Sequence, residues 1–261
     1  MSSVTSRAAV ARRPRAFVRV SGPDAEDYLQ RLLSNDMAAL AAGEACDALL
    51  LTAKARVIAP LRVLRRGPDD FLLLTEPELG ETVRAQLFRS RFAAKVEIES
   101  EEHESWLVLG GAEVLDERPA GDEVTEEEVE RWRIESAIPR WGREIDDRIL
   151  PAEAGLTETH VSFTKGCYPG QEPIARQHHR GKLNRRLRVL ELEADAMPAP
   201  ETEVEHDGKV VGRITSAVPG RALGYVRVEV PDDAELTIGG TKATLAAPTS
   251  GRAVHPRVRL N

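Results

Sequence analysis

The residues best suited to chemistry lie in one short run, Lys165-Gly166-Cys167-Tyr168-Pro169-Gly170-Gln171-Glu172. The run holds one of only two cysteines in the chain, and its glycines and proline predict a loop rather than a helix or strand. Lys165 lies two positions from Cys167, and a nearby cation lowers the pKa of a thiol from its free value of about 8.5. A partly exposed thiolate can attack an electrophile, exchange with a disulfide or bind a soft metal. The alternative is a structural cysteine in an ordinary loop.

The run resembles the Lys-Gly-Cys-Tyr-x-Gly-Gln-Glu motif of the YgfZ family of folate-binding proteins, which in turn resemble the aminomethyltransferase of the glycine cleavage system. Pro169 occupies the variable position. The similarity extends over nearly the whole chain, through segments such as Ser34-Asn35-Asp36, Arg133-Ile134-Glu135, Glu144-Ile145-Asp146 and Leu223-Gly224-Tyr225. Pro173 departs from the pattern, since proline lacks a backbone N–H and fixes φ just after the motif.

The resemblance implies an α+β fold like that of the aminomethyltransferases, with a C-terminal small antiparallel β-barrel. We expect residues 1–184 to form the folate-binding region, with an inner subdomain at about 50–112, and residues 185–261 to form the barrel. The sequence indicates the barrel independently, because short strand-like runs follow one another after Leu183. Asp207-Gly208 and Gly239-Gly240 are dipeptides that tolerate the positive φ of tight hairpin turns.

Apolar spacing in the first half predicts a helix over 24–33, capped by Asp24, and another over 77–92. The second helix has Val83 and Leu87 on its inner face, extended by Phe88 in one interpretation. Strands are expected around 47–51, 55–64, 71–75, 96–99 and 105–109. Thr125 to Glu128 form a capping box before a helix that ends near residue 136. The basic stretch 1–15 is interpreted as a frayed tail, with an organelle transit peptide as the alternative.

Glu135 is the residue that the resemblance assigns to pterin recognition. In related aminomethyltransferases, the glutamate of an Arg-x-Glu-x-Gly segment accepts two hydrogen bonds from the pterin, and Arg133-Ile134-Glu135-Ser136-Ala137 corresponds to it. Ala137 stands near a position where relatives often carry glycine. The alternative for Glu135 is an exposed helix carboxylate with no ligand. Arg133 and Arg143 are expected to bind folate tail carboxylates or to form salt bridges with nearby glutamates.

The remaining candidate residues each have a structural alternative. Asn35 and Asp36 lie in a loop that the resemblance places close to the folate cavity, although such residues usually form caps or turns. Tyr168 either stacks on the ligand or packs behind Cys167 with its hydroxyl bonded. Gln171 and Glu172 are expected to hold the cysteine loop through hydrogen bonds.

A second unusual feature is a basic segment between residues 176 and 188, consisting of Arg176, His178, His179, Arg180, Lys182, Arg185, Arg186 and Arg188. Such a cluster can face a polyglutamyl folate tail, an RNA or an acidic protein. It lacks the interleaved aromatic residues that favour single-stranded nucleic acid. The alternative is a solvated linker.

Composition limits the class of protein. Apolar residues make up 41% of the 261 residues, charged residues 30%, and the net charge of −7 argues against a nonspecific nucleic-acid coat. Cys46 and Cys167 lie in different regions without a Cys-x-x-Cys pair, so no metal site is predicted and a reducing cytoplasmic location is expected. No apolar run is long enough to span a bilayer, and no membrane partner is expected.

One segment argues against aminomethyl transfer. Aminomethyltransferases resemble one another in a Gly-x-x-x-Asp-Asp segment whose aspartate assists attack by the folate amine, and Ala59-Pro60 occupies that place here. Neither side chain can transfer a proton. The Cys167 run belongs instead to the YgfZ side of the resemblance. We therefore expect folate binding without glycine cleavage.

The resemblance implies a tetrahydrofolate-binding protein that supports iron–sulfur cluster assembly or repair and, through it, tRNA modification. The implied partners are reduced folate and iron–sulfur proteins or assembly factors, with tRNA as a further alternative. Any cluster contact by Cys167 would be transient, since stable clusters usually need four ligands. Two other hypotheses stay open: a folate-dependent one-carbon transferase, and a noncatalytic adaptor that binds RNA or protein.

Overall fold

The computed structural model describes residues 7–193 and 195–247, together with the backbone of 257–259. The chain forms two compact units. Unit 1 consists of Met1–Leu50, Ala59–Val129 and Val254–Asn261, and unit 2 consists of Leu51–Ile58 and Glu130–Ala253. The domain boundaries expected from the sequence stay a prediction.

Unit 1 is built on two five-stranded sheets. Its elements are β1 Ala9–Arg12, β2 Ala16–Ser21, α1 Ala25–Leu32, β3 Ala45–Leu51, β4 Val57–Gly67, β5 Asp70–Thr75, a 3-10 turn Pro77–Leu79, α2 Gly80–Arg89, β6 Glu97–Glu101, β7 Ser105–Val108, β8 Ala112–Leu115 and β9 Asp122–Glu123. One sheet has the order β3-β4-β5-β2-β6. In the other, β8, β7, β1 and β9 are neighbours, and the backbone of Arg257–Arg259 pairs in parallel with β8.

The N-terminal stretch corrects the sequence-based interpretation. Residues 9–12 form strand β1, in which Val10 is fully buried, so the expected frayed tail is wrong there; residues 1–6 lie outside the described part. The two arginines that follow contact a buried carboxylate: Arg15 Nε lies 2.9 Å and Arg13 Nη1 lies 3.5 Å from Glu113. Burial alone would raise the pKa of Glu113, but these two cations hold it well below its usual range. Pairing thus makes burial of these arginines feasible.

The helices of unit 1 largely follow their apolar patterns. Helix α1 covers the expected segment, but Asp24 does not cap it, because its carboxylate accepts a hydrogen bond from the Lys95 amide at 2.7 Å. Helix α2 buries Val83 and Leu87 and ends at residue 89, three residues earlier than expected. Phe88 is exposed, which corrects its placement on the inner face.

Unit 2 contains the predicted closed β-barrel. Its strands are β10 Arg185–Leu192, β11 Glu203–His206, β12 Lys209–Val218, β13 Arg221–Arg227, β14 Glu235–Ile238 and β15 Thr241–Leu245, in the order β10-β13-β12-β11-β14-β15. The expected hairpin turns are confirmed, since Asp207, Gly208, Gly239 and Gly240 all have positive φ. The barrel core is apolar and includes Leu190, Val204, Ile214, Val226 and Leu236.

Three helices precede or support the barrel: α3 Glu126–Glu135, α4 Thr157–His160 and α5 Gln171–Arg180. The capping box of α3 is confirmed, because Glu128 Oε2 accepts from the Thr125 amide at 2.8 Å and Thr125 Oγ1 accepts from the Glu128 amide at 3.3 Å. The mixture of helices and sheets confirms the α+β class. None of the helices in the described segments is both long and apolar enough to cross a membrane.

Candidate functional site

Cys167 lies between α4 and α5, outside any helix or strand, and its side chain is exposed. Cys46, the only other cysteine, lies in β3 and is half-buried. The two thiols therefore differ in access to a large reagent or a partner protein. Exposure is the first requirement for the reactive role that the sequence predicts.

Gly170 fixes the end of the cysteine loop. Its φ of +83° is unfavourable for residues with a Cβ, and a Cβ there would lie 2.7 Å from the carbonyl oxygen of Thr52. Gly166, on the other side of Cys167, has nothing within 4 Å of such a Cβ. The motif thus contains one glycine required by close packing and one in open space. Pro173 lies in the first turn of α5, where a backbone N–H has no helical partner in any case.

Lys165 and Tyr168 form the buried side of the motif. Lys165 is 8% exposed, and its Nζ lies 5.4 Å from the centroid of the Tyr168 ring. Burial raises the pKa of Tyr168 to about 12, and its buried hydroxyl has no hydrogen-bond partner in the described part of the chain. Tyr168 is therefore buried, as in the packing alternative, but without the hydrogen-bonded hydroxyl that this alternative included. The cation–ring contact and this packing anchor the residues on both sides of the exposed thiol.

Gln171 and Glu172 begin α5. The Gln171 amide donates to the Tyr168 carbonyl at 3.3 Å, which links the helix to the loop. The Glu172 carboxylate instead pairs with Arg176 one turn along the helix, and both side chains are exposed. In this structure the side chain of Glu172 contacts its own helix rather than the cysteine loop.

The end of α3 carries the proposed pterin residue and is held by a buried ion network. Arg133 pairs with Glu144 at 2.8 Å and with Glu130 at 2.6 Å, so it adopts the salt-bridge alternative. Glu144 is fully buried and also accepts from Ser216 Oγ of β12 at 2.6 Å. The Tyr225 hydroxyl of β13 donates to the Glu144 carbonyl at 2.8 Å. These bonds tie α3 to the barrel within unit 2.

A tight helix terminus places Glu135. The Ile138 amide donates to the Arg133 carbonyl and the Ala137 amide donates to the Ile134 carbonyl, each at 3.0 Å, which is the pattern of a Schellman motif. Ala137 has a φ of +52°, the conformation that favours glycine. This explains why glycine suits the position in the resembling segment.

Glu135 is exposed at this terminus. Its nearest cation is Arg131, at 3.8 Å, beyond hydrogen-bond distance. Within the residues that the structure describes, its carboxylate accepts no hydrogen bond. Arg143 is also exposed and forms no ion pair with a described residue.

Asn35 and Asp36 organise a turn in unit 1. Asn35 Nδ2 donates to the Asp47 carbonyl at 2.7 Å, and its Oδ1 accepts from the Asp36 amide at 2.9 Å. Asp36 accepts from Gln30 at 3.0 Å and from the Ala39 amide at 3.2 Å. Both residues thus have the turn role that the sequence interpretation weighed against ligand binding.

The basic segment is divided by ion pairs. Arg176 pairs with Glu172, Arg185 with Glu153 at 3.1 Å, and Arg188 with Asp232 at 2.8 Å. Arg186 and Lys182 are exposed without an ion pair to a described residue. His178 stacks on Phe163, with ring centroids 4.1 Å apart, and the side chain of Arg180 lies outside the described set. The segment is therefore less available to an anionic partner than its sequence indicates.

Sequence reasoning missed the barrel's contribution to the α3 terminus. Ser216 and Tyr225 lie 72 and 81 residues from Glu144 along the chain, and no local pattern pairs them. Both residues occur in segments that carry the family resemblance: Ser216 ends Val211-Gly212-Arg213-Ile214-Thr215-Ser216, and Tyr225 ends Leu223-Gly224-Tyr225. That coincidence is the one signal in the sequence that could have marked them as structurally important.

Comparisons with known proteins agree with the architecture. The family model described as the CAF17 C-terminal beta-barrel domain matches residues 184–250. A solved structure, the glycine cleavage system aminomethyltransferase T from Bartonella henselae, superimposes with a TM-score of 0.81 over 96% of this chain and 88% of its own, at 16% identity. The aminomethyltransferase-like fold with a C-terminal barrel is therefore confirmed.

The sequence relatives include proteins named for tRNA modification, for iron-sulfur cluster assembly and for aminomethyl transfer. The tRNA-modifying protein YgfZ of Edwardsiella ictaluri is 27% identical over 72% of this chain and 72% of its own length. The mitochondrial iron-sulfur cluster assembly factor IBA57 of Mus musculus is 28% identical over 82% of this chain and 72% of its own. An aminomethyltransferase of Nostoc is 29% identical over 81% of this chain, but the match spans only 47% of that enzyme, about half its length.

Proposed function

Because the chain belongs to the YgfZ/GcvT-like family, we propose that it supports the assembly or repair of iron–sulfur clusters and, through iron–sulfur enzymes, tRNA modification. Two relatives that cover most of the chain support this proposal, since one is named for tRNA modification and the other for iron–sulfur cluster assembly. Its expected partners are iron–sulfur proteins or their assembly factors.

The observation that carries the proposal is the exposure of Cys167 on a loop that is anchored on both sides. Lys165 is buried on its N-terminal side, and Tyr168 is buried on its C-terminal side, where Gly170 also packs against the Thr52 carbonyl. A thiol held in this way can reach a partner's cluster or disulfide while the loop keeps its shape. Because stable clusters usually have four ligands, a partner would supply those that this chain lacks.

Tetrahydrofolate is the proposed bound cofactor, and the hydrogen-bonding groups at the α3 terminus fit it. A pterin presents an amino group and a ring N–H side by side, and Glu135 has two carboxylate oxygens that accept no hydrogen bond from described residues. Arg143 is available for a folate tail carboxylate, whereas Arg133 is already paired with Glu130 and Glu144. When bound, tetrahydrofolate would supply a carrier for one-carbon units. Glu135 would orient it by its pterin edge.

Aminomethyl transfer itself is not part of the proposal. Ala59 and Pro60 lie in β4, at the place where the resemblance puts the acidic pair of the transferases. Ala59 is fully buried, and neither residue can accept a proton from a folate amine.

Complementation tests the role of Cys167. Cells lacking the protein receive wild type, Cys167→Ala or Cys46→Ala, and the activity of an iron–sulfur tRNA-thiolating enzyme is measured. We expect rescue by wild type and Cys46→Ala but not by Cys167→Ala, with equal expression of all three. Equal rescue by Cys167→Ala would reduce this thiol to a structural residue.

A direct binding measurement tests the folate site separately. Titration of purified protein with tetrahydrofolate should give at least about tenfold weaker binding for Glu135→Gln, because hydrogen bonds to a charged group contribute about 1.5–3 kcal/mol. Glu127→Gln, which removes an exposed carboxylate from the first turn of the same helix, is the matched control. Equal affinity of both variants would remove Glu135 from the site.

A further inference from the structure

The end of α2 and the segment that joins it to β6 expose an unusual combination of side chains. Phe88 is 59% exposed and Phe92 is 93% exposed. Arg89 and Arg91 lie between the two phenylalanines, Lys95 follows them, and all three cations are also exposed. We call these five residues the aromatic tip. Isolated exposed apolar residues are ordinary, but two phenylalanines among three cations in the short stretch from Phe88 to Lys95 indicate an interaction surface.

The aromatic tip is well ordered by hydrogen bonds. The Ser90 amide donates to the Leu87 carbonyl at 3.0 Å, and the Ala94 amide donates to the Arg91 carbonyl at 2.9 Å. The Lys95 amide donates to Asp24 at 2.7 Å, and Val96, the next residue, is buried. The backbone therefore presents the two rings from a fixed turn.

Phe92 occupies a conformation that costs energy in the isolated chain. Its φ is +43°, in the left-handed region that bulky residues rarely adopt. The strained backbone exposes the ring rather than burying it. Because strained residues concentrate at binding and switch regions, this combination favours a partner outside the chain.

The charges of the aromatic tip point to the partner's chemistry. None of the ion pairs within the described segments includes Arg89, Arg91 or Lys95. The Arg91 guanidinium lies 5.7 Å from the centroid of the Phe88 ring, so a cation and an aromatic face stand together. Aromatic faces that stack on bases, interleaved with cations that contact phosphates, are the elements of single-strand recognition. This is the interleaving that the basic segment after residue 176 lacks.

We propose that the aromatic tip binds an unpaired segment of RNA, with Phe88 and Phe92 stacking on bases and the three cations contacting phosphates. RNA is favoured because stacking requires unpaired bases, which RNA offers in its loops, bulges and ends. The proposal does not rest on the function assigned to Cys167. Accordingly, Cys167→Ala should bind RNA as wild type does.

The test is fluorescence anisotropy with a labelled twelve-nucleotide oligo(U) RNA at 50 mM salt. Wild type should bind saturably, and Phe88→Ala/Phe92→Ala should bind at least about tenfold more weakly, since each stacked base contributes on the order of tenfold or more. Both rings are exposed, so thermal unfolding of this variant should match wild type. With three phosphate contacts, the slope of log affinity against log salt should be about −2 for wild type. In Arg89→Gln/Arg91→Gln, which loses two of these contacts, the slope should be shallower by about 1.4.

The matched control is Lys182→Gln/Arg186→Gln, which removes two unpaired cations from the basic segment. It should leave oligo(U) affinity unchanged. Loss of binding in this control but not in the tip variants would overturn the proposal, as would the absence of oligo(U) binding by wild type. Tighter binding of duplex RNA or of oligo(dT) than of oligo(U) would also overturn it. A lipid partner would overturn the proposal as well. In that case wild type would sediment with anionic phosphatidylserine vesicles, Phe88→Ala/Phe92→Ala would not, and the two proteins would bind oligo(U) equally.

Discussion

The α3 terminus and the cysteine loop, both in unit 2, differ in whether their polar groups have hydrogen-bond or ion-pair partners. Around Glu144, the carboxylate oxygens have partners in Arg133, Ser216 and the Arg140 amide. Around Cys167, the thiol is exposed and the buried hydroxyl of Tyr168 has no described partner. A satisfied buried network fixes a geometry, whereas the exposed Cys167 thiol is accessible to a reagent or a partner. The contrast separates residues that build the site from those that would act in it.

The largest expected effect is on the satisfied network. Glu144→Gln removes the fully buried one of the two carboxylates that pair with Arg133. Breaking a buried pair in this way should lower the free energy of unfolding by about 3 kcal/mol. Urea denaturation of the purified variant and of wild type measures this difference in the free energy of unfolding. Glu172→Gln breaks an exposed pair and should change stability by less than about 0.5 kcal/mol. Similar losses in both variants would show that the Glu144 network is not the stronger constraint.

A smaller effect is expected from the anchor of the cysteine loop. Gly170→Ala places a Cβ 2.7 Å from the Thr52 carbonyl at a φ of +83°, which should cost about 2 kcal/mol. Gly166→Ala meets no atom within 4 Å and should be nearly neutral. Thermal unfolding of the pair distinguishes an anchored loop from a mobile one. Equal stability of the two variants would contradict the anchoring.

Ala137→Gly should stabilise the protein. The φ of +52° at this position strains any residue with a Cβ, and glycine removes that strain at some entropic cost. We expect the free energy of unfolding to rise by about 0.5–1 kcal/mol, measured by urea denaturation. A decrease would mean that Ala137 makes packing contacts worth more than the strain.

The smallest effect concerns a partly exposed charge in unit 1. His103 contacts Asp116 through Nδ1 at 2.7 Å and Glu101 through Nε2 at 2.8 Å. Burial alone would lower the pKa of His103, but hydrogen bonds to Glu101 and Asp116 raise it above its ordinary value near 6.5. The stabilisation is therefore complete below about pH 6.5 and is lost as pH rises through the higher folded-state pKa.

His103→Gln should remove this pH dependence and cost about 0.5–1 kcal/mol at pH 5.5. Urea denaturation at pH 5.5 and pH 9 measures both quantities, with wild type as the reference. A constant difference between wild type and His103→Gln across this range would show that the pKa of His103 is the same in the folded and unfolded states, contrary to the expected rise.

The sequence by itself determined the α+β class, the C-terminal barrel and its two hairpin turns, the capping box of α3 and the loop around Cys167. These features depend on local conformation: dipeptides with positive φ, apolar spacing and glycines whose effects act within a few residues. The family resemblance added the aminomethyltransferase-like fold, which the structural comparison confirms.

Only the tertiary structure decided which polar groups are paired. Arg13 and Arg15 look like parts of a solvated tail until β1 and β8 bring them to the buried Glu113. For Arg133 the sequence leaves ligand binding and a salt bridge both open, and the structure places Glu144 and Glu130 beside it. Ion pairing and burial depend on residues far apart in the chain, and burial without a partner would be unfavourable. The availability of a charged side chain is therefore a property of the fold rather than of its local sequence.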